Sequence, residues 1–158
     1  MKKQRGFTLI ELLVVIAIIG LLSTLAVVAL NNARQKSRDA RRVSDIKQMQ
    51  TALELFFNDE GGYPTQEGNL GVAAGNFLCL GSNGWGATCT GTTYMAKVPA
   101  NPTPDDGGGS YTYGALSTAS VTANSEYSIS YYLAAATGGI SAGANTACAS
   151  GVSGCAAQ

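Results

Sequence analysis

The sequence predicts an α+β protein in which one long N-terminal helix packs its second half on a small antiparallel β-sheet. Three observations predict this fold. The first is a nearly continuous apolar run from Phe7 to Leu30, the second is a helical stripe of apolar residues over 43–56, and the third is a series of short strand-like runs after Pro64. At 158 residues, the chain has room for one modest domain beside the apolar run.

The apolar run is long enough to cross a membrane. Its 24 residues from Phe7 to Leu30 span about 36 Å as a helix at ~1.5 Å per residue, more than the ~30 Å of a hydrocarbon core. It is too long for a signal-peptide core, and no A-x-A cleavage site follows it. Glu11 is its only charged residue, and a charge inside a membrane is costly enough to mark a function and a partner.

The helix is predicted to continue beyond the apolar run. Apolar residues recur there at three- and four-residue steps, namely at Val43, Ile46, Met49, Leu53 and Phe56. No proline interrupts the chain before Pro64. We therefore expect a single helix from Phe7 to about Asn58, ended by the glycines and proline of 61–64.

Charge divides the chain into a basic front and an acidic back. Residues 1–47 hold nine of the ten basic residues against three acids, and residues 48–158 hold only Lys97 against seven acids. Oppositely charged pairs at helical spacing, which we expect to be solvated or to face a partner, are Lys36 with Asp39, Asp39 with Arg42, and Arg41 with Asp45. The basic cluster 34–47 is predicted to pair with acidic residues of neighbouring molecules, and with lipid headgroups before assembly.

All four cysteines lie in the polar second half, at Cys79, Cys89, Cys148 and Cys155. Disulfides are favoured over zinc because the chain has no histidine and no Cys-x-x-Cys pair. Of three possible pairings, the local one, Cys79 with Cys89 and Cys148 with Cys155, is the simplest. Disulfides place this half outside the cytoplasm. The basic residues that follow the apolar run predict the opposite orientation. A tail as short as residues 1–6 is nevertheless easily retained in the cytoplasm, so we give the cysteines more weight and expect the C-terminal half outside the cytoplasm.

Residues 61–158 are predicted to form the sheet. Two runs have alternating apolar residues, Tyr111, Tyr113 and Ala115 in one and Tyr127, Ile129, Tyr131 and Leu133 in the other. A further strand is expected over 94–98, with a turn at Gly107–Gly109. The tyrosine-rich faces are expected to pack on the apolar stripe of the helix. Trp85 is expected to pack under its own loop, with an exposed adhesive role as the alternative.

The N-terminal motif carries a resemblance to a known family. Residues 5–11, RGFTLIE, follow the basic leader residues Lys2 and Lys3, with Arg5 as the last charge before the apolar run. This segment resembles the class III signal of type IV prepilins and pseudopilins, and residues 52–65 are similar to the helix end and first loop of those proteins. The resemblance implies a type IV pilin-like fold. It also implies that prepilin peptidase cuts between Gly6 and Phe7 and methylates the new Phe7 amine.

The resemblance also gives Glu11 a role in filament assembly. After cleavage, the positive Phe7 amine of a neighbouring subunit would lie beside this carboxylate, and a buried pair is far less costly than a lone buried charge. The alternative is that Glu11 serves only its own helix N-terminus or its own Phe7. Many type IV pilins have a helix-breaking proline at the position of Val28, which this chain lacks, while Gly20 matches a glycine common in the family and is expected to weaken the helix locally by about 1 kcal/mol relative to alanine.

These observations divide the chain into a leader (1–6), a transmembrane and assembly half-helix (7–30), an amphipathic half-helix (31–60) and a globular domain (61–158). We expect a single-pass membrane precursor with an extracytoplasmic C-terminal domain, later part of an extracellular pilus used for adhesion, twitching motility or DNA uptake. The alternatives are a pseudopilin of a secretion or competence system and, in another class, a monomeric membrane-anchored binding module that uses the Trp85 loop.

The expected partners are further copies of the chain in a helical homopolymer, prepilin peptidase, the inner-membrane assembly machinery, the membrane and, least favoured, DNA. Catalysis and a cofactor are not expected, because the chain has no histidine, its cysteines are expected to form disulfides, and no carboxylate pair is placed near a nucleophile. Asp105 and Asp106 are weak calcium candidates, since calcium needs six to eight oxygen ligands and the same residues suit an ordinary turn.

Overall fold

A computed structural model describes residues 7–72, 77–116, 126–149 and 151–152, with residues 116, 151 and 152 described by backbone alone. Helix α1 runs from Leu9 to Glu60 without a break, which confirms the predicted single long helix. Gly61 follows the last helical residue; its positive φ of 75° suits a residue without a Cβ atom, and its N–H donates to the Phe57 carbonyl oxygen at 2.9 Å. The chain divides into two compact units, 1–35 and 36–158.

The second unit contains two antiparallel sheets. The strands are β1 (Gly68–Leu70), β2 (Cys79–Gly81), β3 (Gly84–Gly86), β4 (Thr93–Met95), β5 (Tyr111–Leu116), β6 (Glu126–Leu133), β7 (Gly143–Cys148) and β8 (Gly151–Val152). The larger sheet has the order β1-β5-β6-β7-β8, and the smaller has the order β3-β2-β4. The strand expected over 94–98 is β4, which covers only Thr93–Met95 and pairs with the three-residue β2.

The core lies between the helix and the larger sheet. From the helix, Ile46, Met49, Leu53 and Phe56 are buried, while Val43 packs partly buried against them. From the sheet, the alternate residues of β5 and β6 are buried in the same cluster, namely Tyr111, Tyr113, Tyr127, Ile129, Tyr131 and Leu133. The period of about 3.6 on the helix and the period of 2 on the strands therefore predicted the correct faces.

Aromatic side chains fill the centre of this core. The ring centroids of Tyr63 and Tyr127 lie 4.6 Å apart, and those of Trp85 and Tyr113 lie 5.3 Å apart, both in edge-on arrangements that aromatic pairs prefer. Trp85 is only 6% exposed. The expectation that Trp85 packs under its own loop is confirmed, and the alternative of an exposed adhesive aromatic is wrong.

Two buried tyrosines provide a matched test of the core. The Tyr113 hydroxyl donates to the Pro64 carbonyl oxygen at 3.0 Å, whereas the Tyr127 hydroxyl, also buried, makes no hydrogen bond with acceptable geometry within the described residues. The neighbouring Gln50 amide donates to the Cys148 carbonyl oxygen instead. Burial raises the pKa of the Tyr127 hydroxyl to about 12, so this group stays protonated and neutral at physiological pH.

We expect Tyr127→Phe to leave the free energy of unfolding unchanged or to raise it slightly, because it removes a buried polar group without a partner. Tyr113→Phe should lower it by about 1 kcal/mol, since the hydrogen bond from its hydroxyl to the Pro64 carbonyl oxygen is then lost. Denaturant titration of the full chain in detergent, followed by fluorescence of the single tryptophan, measures both. An equal loss in the two variants would show that the Tyr127 hydroxyl has a stabilising partner.

Candidate functional site

The N-terminal end of α1 presents Glu11 in a local hydrogen-bonded motif. The Thr8 N–H donates to Glu11 Oε2 at 2.9 Å, and the Thr8 hydroxyl donates to the same oxygen at 2.6 Å. The Glu11 N–H faces Thr8 Oγ1 at 3.4 Å. This is a capping box, in which a Thr at the helix start and a Glu three residues later satisfy each other's free backbone donors. In a single copy of the chain, Glu11 therefore has a partner in Thr8.

Phe7 lies immediately before this motif and is 81% exposed. Gly6 and the leader residues Lys2, Lys3 and Arg5 lie outside the described residues, so the predicted cut between Gly6 and Phe7 stays a prediction. The predicted pairing of Glu11 with the amine of a second copy also stays a prediction. What the geometry adds is that an approaching amine would meet a carboxylate with one oxygen, Oε2, already engaged by Thr8.

Residues 7–30 expose a nearly continuous apolar surface. The large apolar residues that stay exposed are Phe7, Leu9, Ile10, Leu12, Leu13, Val14, Val15, Ile16, Ile18, Ile19, Leu21, Leu22, Leu25, Val27, Val28 and Leu30. Soluble monomers rarely expose apolar patches beyond a few hundred Å². By length and composition, α1 is the one helix among the described residues that could cross a membrane. This segment requires a covering of lipid or of other apolar helices.

The few polar side chains of this segment are satisfied within their own helix. The Ser23 hydroxyl donates to the Ile19 carbonyl oxygen at 2.7 Å, and the Thr24 hydroxyl donates to the Leu21 carbonyl oxygen at 2.8 Å. Backbone and hydroxyl donors with internal partners are what a hydrocarbon environment demands. The surface around Gly20 is open, with no other group within 4 Å of a Cβ position. The segment can therefore pack closely against another helix at that point.

A buried ionic cluster ties the second half of α1 to two loops, and we call it the arginine clamp: Arg38, Asp39, Arg42, Asn101 and Asp106. Asp39 and Arg42 are both completely buried and form an ion pair at 2.6 Å. The Asp39 carboxylate also accepts hydrogen bonds from the backbone N–H groups of residues 134 and 135, just after β6. Arg42 Nε donates to Asn101 Oδ1 at 2.8 Å.

Asp106 completes the arginine clamp. Its two carboxylate oxygens accept from Arg38 at 2.8 and 2.9 Å, and one of them also accepts from Arg42 at 2.9 Å. These arginines hold the pKa of Asp106 below its ordinary value, Arg38 contributing most. Asp105 accepts from the backbone N–H groups of Gly107 and Gly109 in a turn. Both calcium candidates therefore have protein donors, and the described residues contain no group of three or more acidic or cysteine side chains that could hold a metal.

The arginine clamp corrects one expectation. Asp39 and Arg42 do not form a solvated pair, because both are enclosed between the helix and the loops. Asp39 is bonded to Arg42 and the backbone rather than to Lys36. Arg38 and Arg42 bind acidic and amide side chains within the domain, so they are not available to neighbouring molecules. Among the described residues, the exposed Arg41 lies 3.9 Å from Asp45, but the Asp45 carboxylate is buried and accepts a hydrogen bond from the Tyr111 hydroxyl, so this pair is solvated on the arginine side alone.

The structure contains a disulfide between Cys79 and Cys89, the local pairing that the sequence favoured. Cys148 is also disulfide-bonded, while Cys155, its predicted partner, lies outside the described residues. The first disulfide closes the loop that holds Trp85 beneath it. Closing a short loop of this size stabilises a domain by about 2–3 kcal/mol in the loop-entropy picture.

Sequence reasoning missed two features of the site. The Thr8-x-x-Glu11 spacing is a recognisable capping-box signature, so the intramolecular partner of Glu11 was visible in the sequence. The arginine clamp had no such signature, because Asp106 lies more than sixty residues from both arginines.

Comparison with known proteins bears directly on this site. A family model described as "Prokaryotic N-terminal methylation motif" matches residues 1–27. Type II secretion system core protein G of Escherichia coli strain K12 is 37% identical over 106 residues, which cover 66% of this chain and 70% of that protein. The chain belongs to the type IV pilin and pseudopilin family.

Other relatives of this pilin-family chain match over a shorter region. Type II secretion system core protein G of Dickeya chrysanthemi is 41% identical over 45% of this chain, and the type IV major fimbrial protein FimA of Dichelobacter nodosus is 40% identical over 48% of it. These matches span about half the length of the relatives. No solved structure matches the chain significantly. The fold described above, one long helix packed on antiparallel strands, is the pilin-like α+β fold.

Proposed function

We propose that this chain is a structural subunit of a type IV pilus, processed by prepilin peptidase and polymerised through its N-terminal helix. The observation that carries the proposal is the exposed apolar surface of residues 7–30, in which Glu11 near the N-terminal end is the one carboxylate. Lipid covers such a surface in the precursor, and the same surfaces of other subunits cover it in a filament. The match to the methylation motif over residues 1–27 supports processing at the Gly6–Phe7 bond.

The globular domain suits display outside the cytoplasm. Its Cys79–Cys89 disulfide forms and persists in an oxidising compartment. In this proposal the domain lies outside the inner membrane in the precursor and on the filament surface after assembly. The inner-membrane assembly machinery and prepilin peptidase are the partners that this route requires.

A pseudopilin of a type II secretion system is the second candidate, because several matched relatives are core protein G of such systems. The match to a type IV major fimbrial protein supports the pilus as the first candidate. The sequence offers no histidine for acid-base catalysis, so an enzymatic role has no support.

Electron microscopy of cells that express the chain together with a prepilin peptidase tests the proposal. We expect long surface fibres that contain the chain and disappear when the peptidase is inactivated. Short periplasmic assemblies that form only when a secretion system is present would favour the pseudopilin. A chain that remains monomeric in the membrane with an active peptidase would contradict both.

A further inference from the structure

The larger sheet has a second face, on the side opposite the helix, because alternate residues of a strand point to opposite sides. Four neutral polar residues lie in register across four strands of this face, namely Asn69, Thr112, Ser130 and Thr146, here called the polar row. With about 4.8 Å between neighbouring strands, the polar row is about 14 Å long. Asn69, Thr112 and Ser130 are exposed, and Thr146 is half-buried.

The polar row keeps free hydrogen-bonding capacity. The Thr112 hydroxyl donates to Asn69 Oδ1 at 3.3 Å, which leaves the amide N–H groups of Asn69 as donors. The hydroxyls of Ser130 and Thr146 have no hydrogen-bond partner among the described residues. Because a hydroxyl both donates and accepts, the polar row offers donors and acceptors of both kinds to an external ligand.

One aromatic ring lies beside the polar row. Tyr132 follows Ser130 on the same face of β6, about 7 Å along the strand, and is half-buried, whereas Tyr131 points into the core. Its exposed neighbour on β7 is Ala144. The backbone at Gly108 lies so close that a Cβ atom there would overlap the Cβ atom of Tyr132. Since neither neighbour has a side chain larger than a methyl group, neither can cover the Tyr132 ring.

The charge of this face limits its partner. Alternation places one charged residue, Glu126 at the start of β6, on the described part of the face, and no lysine or arginine. Nucleic acids are bound largely through Lys and Arg side chains that neutralise phosphates. Membranes and apolar protein surfaces are bound through exposed apolar patches, which hydroxyl and amide groups do not provide. The chemistry of the face therefore suits a neutral ligand rich in hydroxyl groups.

We propose that this face binds a neutral polysaccharide that lies across the strands. The sugar hydroxyls exchange hydrogen bonds with the polar row, and the apolar C–H side of a sugar ring packs on Tyr132. Tyr gives a large, rigid contact area at low conformational-entropy cost, while Ser and Asn give adaptable hydrogen bonds. The inference goes beyond the proposed function, because binding requires the folded globular unit and not a filament.

Co-sedimentation of the full, unassembled chain with insoluble cellulose, chitin and β-mannan tests the inference. The detergent must have a headgroup that is not a sugar, so that it does not compete for the site. We expect binding to at least one of the three polysaccharides. Tyr132→Ala should raise the Kd by about tenfold, because an aromatic contact is lost. Tyr132→Phe keeps the ring and should stay within about threefold of the unaltered chain.

A double variant, Thr112→Val with Thr146→Val, tests the polar row, because valine keeps the β-branched shape and removes the hydroxyl. It should raise the Kd by about tenfold, since two hydrogen-bonding groups are lost. The matched control is Thr65→Val with Thr93→Val, which changes two exposed threonines outside this face and should bind as the unaltered chain does. Fluorescence of Trp85, which lies in the core, shows whether each variant is folded.

The outcomes separate this inference from the proposed function. Binding to none of the three polysaccharides would overturn the inference, and so would binding that both Tyr132→Ala and the Thr112 and Thr146 double variant leave unchanged. Binding to the polyanions alginate or DNA in place of the neutral polysaccharides would also contradict it. A chain that binds a neutral polysaccharide through this face but forms no filament with an active peptidase would leave the inference standing while the proposed function fails.

Discussion

Glu11→Ala should abolish filament assembly while leaving membrane insertion and leader cleavage intact. The variant keeps the Gly6–Phe7 bond and the whole apolar run, so the peptidase and the membrane meet an unchanged segment. In the proposed filament it removes the carboxylate that would receive the Phe7 amine of the next subunit, and an amine left alone in an apolar layer is costly. Immunoblotting for the shortened subunit and electron microscopy for fibres measure the two steps separately.

Glu11→Gln separates assembly from helix capping. The capping box accepts Gln as well as Glu at this position, so the bond from the Thr8 N–H is retained while the charge is lost. We expect this variant to be cleaved and to fail in assembly as the alanine variant does. Normal fibres from Glu11→Gln would show that Glu11 serves only its own helix start. Thr8→Ala, which removes the hydroxyl donor but keeps the charge, should assemble better than either.

Arg42→Met should lower the free energy of unfolding of the globular unit by about 3–5 kcal/mol, the range for breaking a buried ion pair. Asp39 would remain fully buried with only backbone donors, and Asp106 would lose one of its two guanidinium partners. Denaturant titration of the full chain in detergent, followed by Trp85 fluorescence, reports this unit because Trp85 lies in its core.

Arg41→Met is the matched control, since it lies one position away on the same helix and is 65% exposed. It should change stability by no more than about 1 kcal/mol, because its guanidinium is solvated and lies 3.9 Å from the nearest Asp45 oxygen. Equal losses in the two variants would contradict the arginine clamp.

The clamp also predicts that the globular unit is sensitive to acid. Because the folded pKa of Asp106 lies below the ordinary 3.8, its stabilisation is present above pH 4 and is lost as the pH falls through the folded pKa. Asp106→Asn should remove this part of the acid transition.

The helix and the inner faces of the sheet could be predicted because both depend on local periodicity. The stripe at Ile46, Met49, Leu53 and Phe56 and the alternation along β6 each repeat within a few residues. The Cys79–Cys89 pairing followed from spacing for the same reason. Each of these features depends on neighbours in sequence, for which residue type and spacing are sufficient evidence.

The arginine clamp could not be predicted because burial of a charge depends on the tertiary structure. From the sequence, Asp39 and Arg42 are predicted to form a surface pair, since most charged residues of proteins are exposed to solvent. What encloses them is the loop of 101–106 and the turn after β6, which reach the helix only when the sheet is folded. A three-residue charge spacing does not distinguish a buried pair from an exposed one.

Mass analysis of the N-terminal peptide from purified surface filaments tests the central claim most directly. The account predicts that the assembled subunit begins at Phe7 and that this residue carries one added methyl group on its amine. An intact Met1 in assembled filaments would contradict the account, because Glu11 would then have no free Phe7 amine to receive.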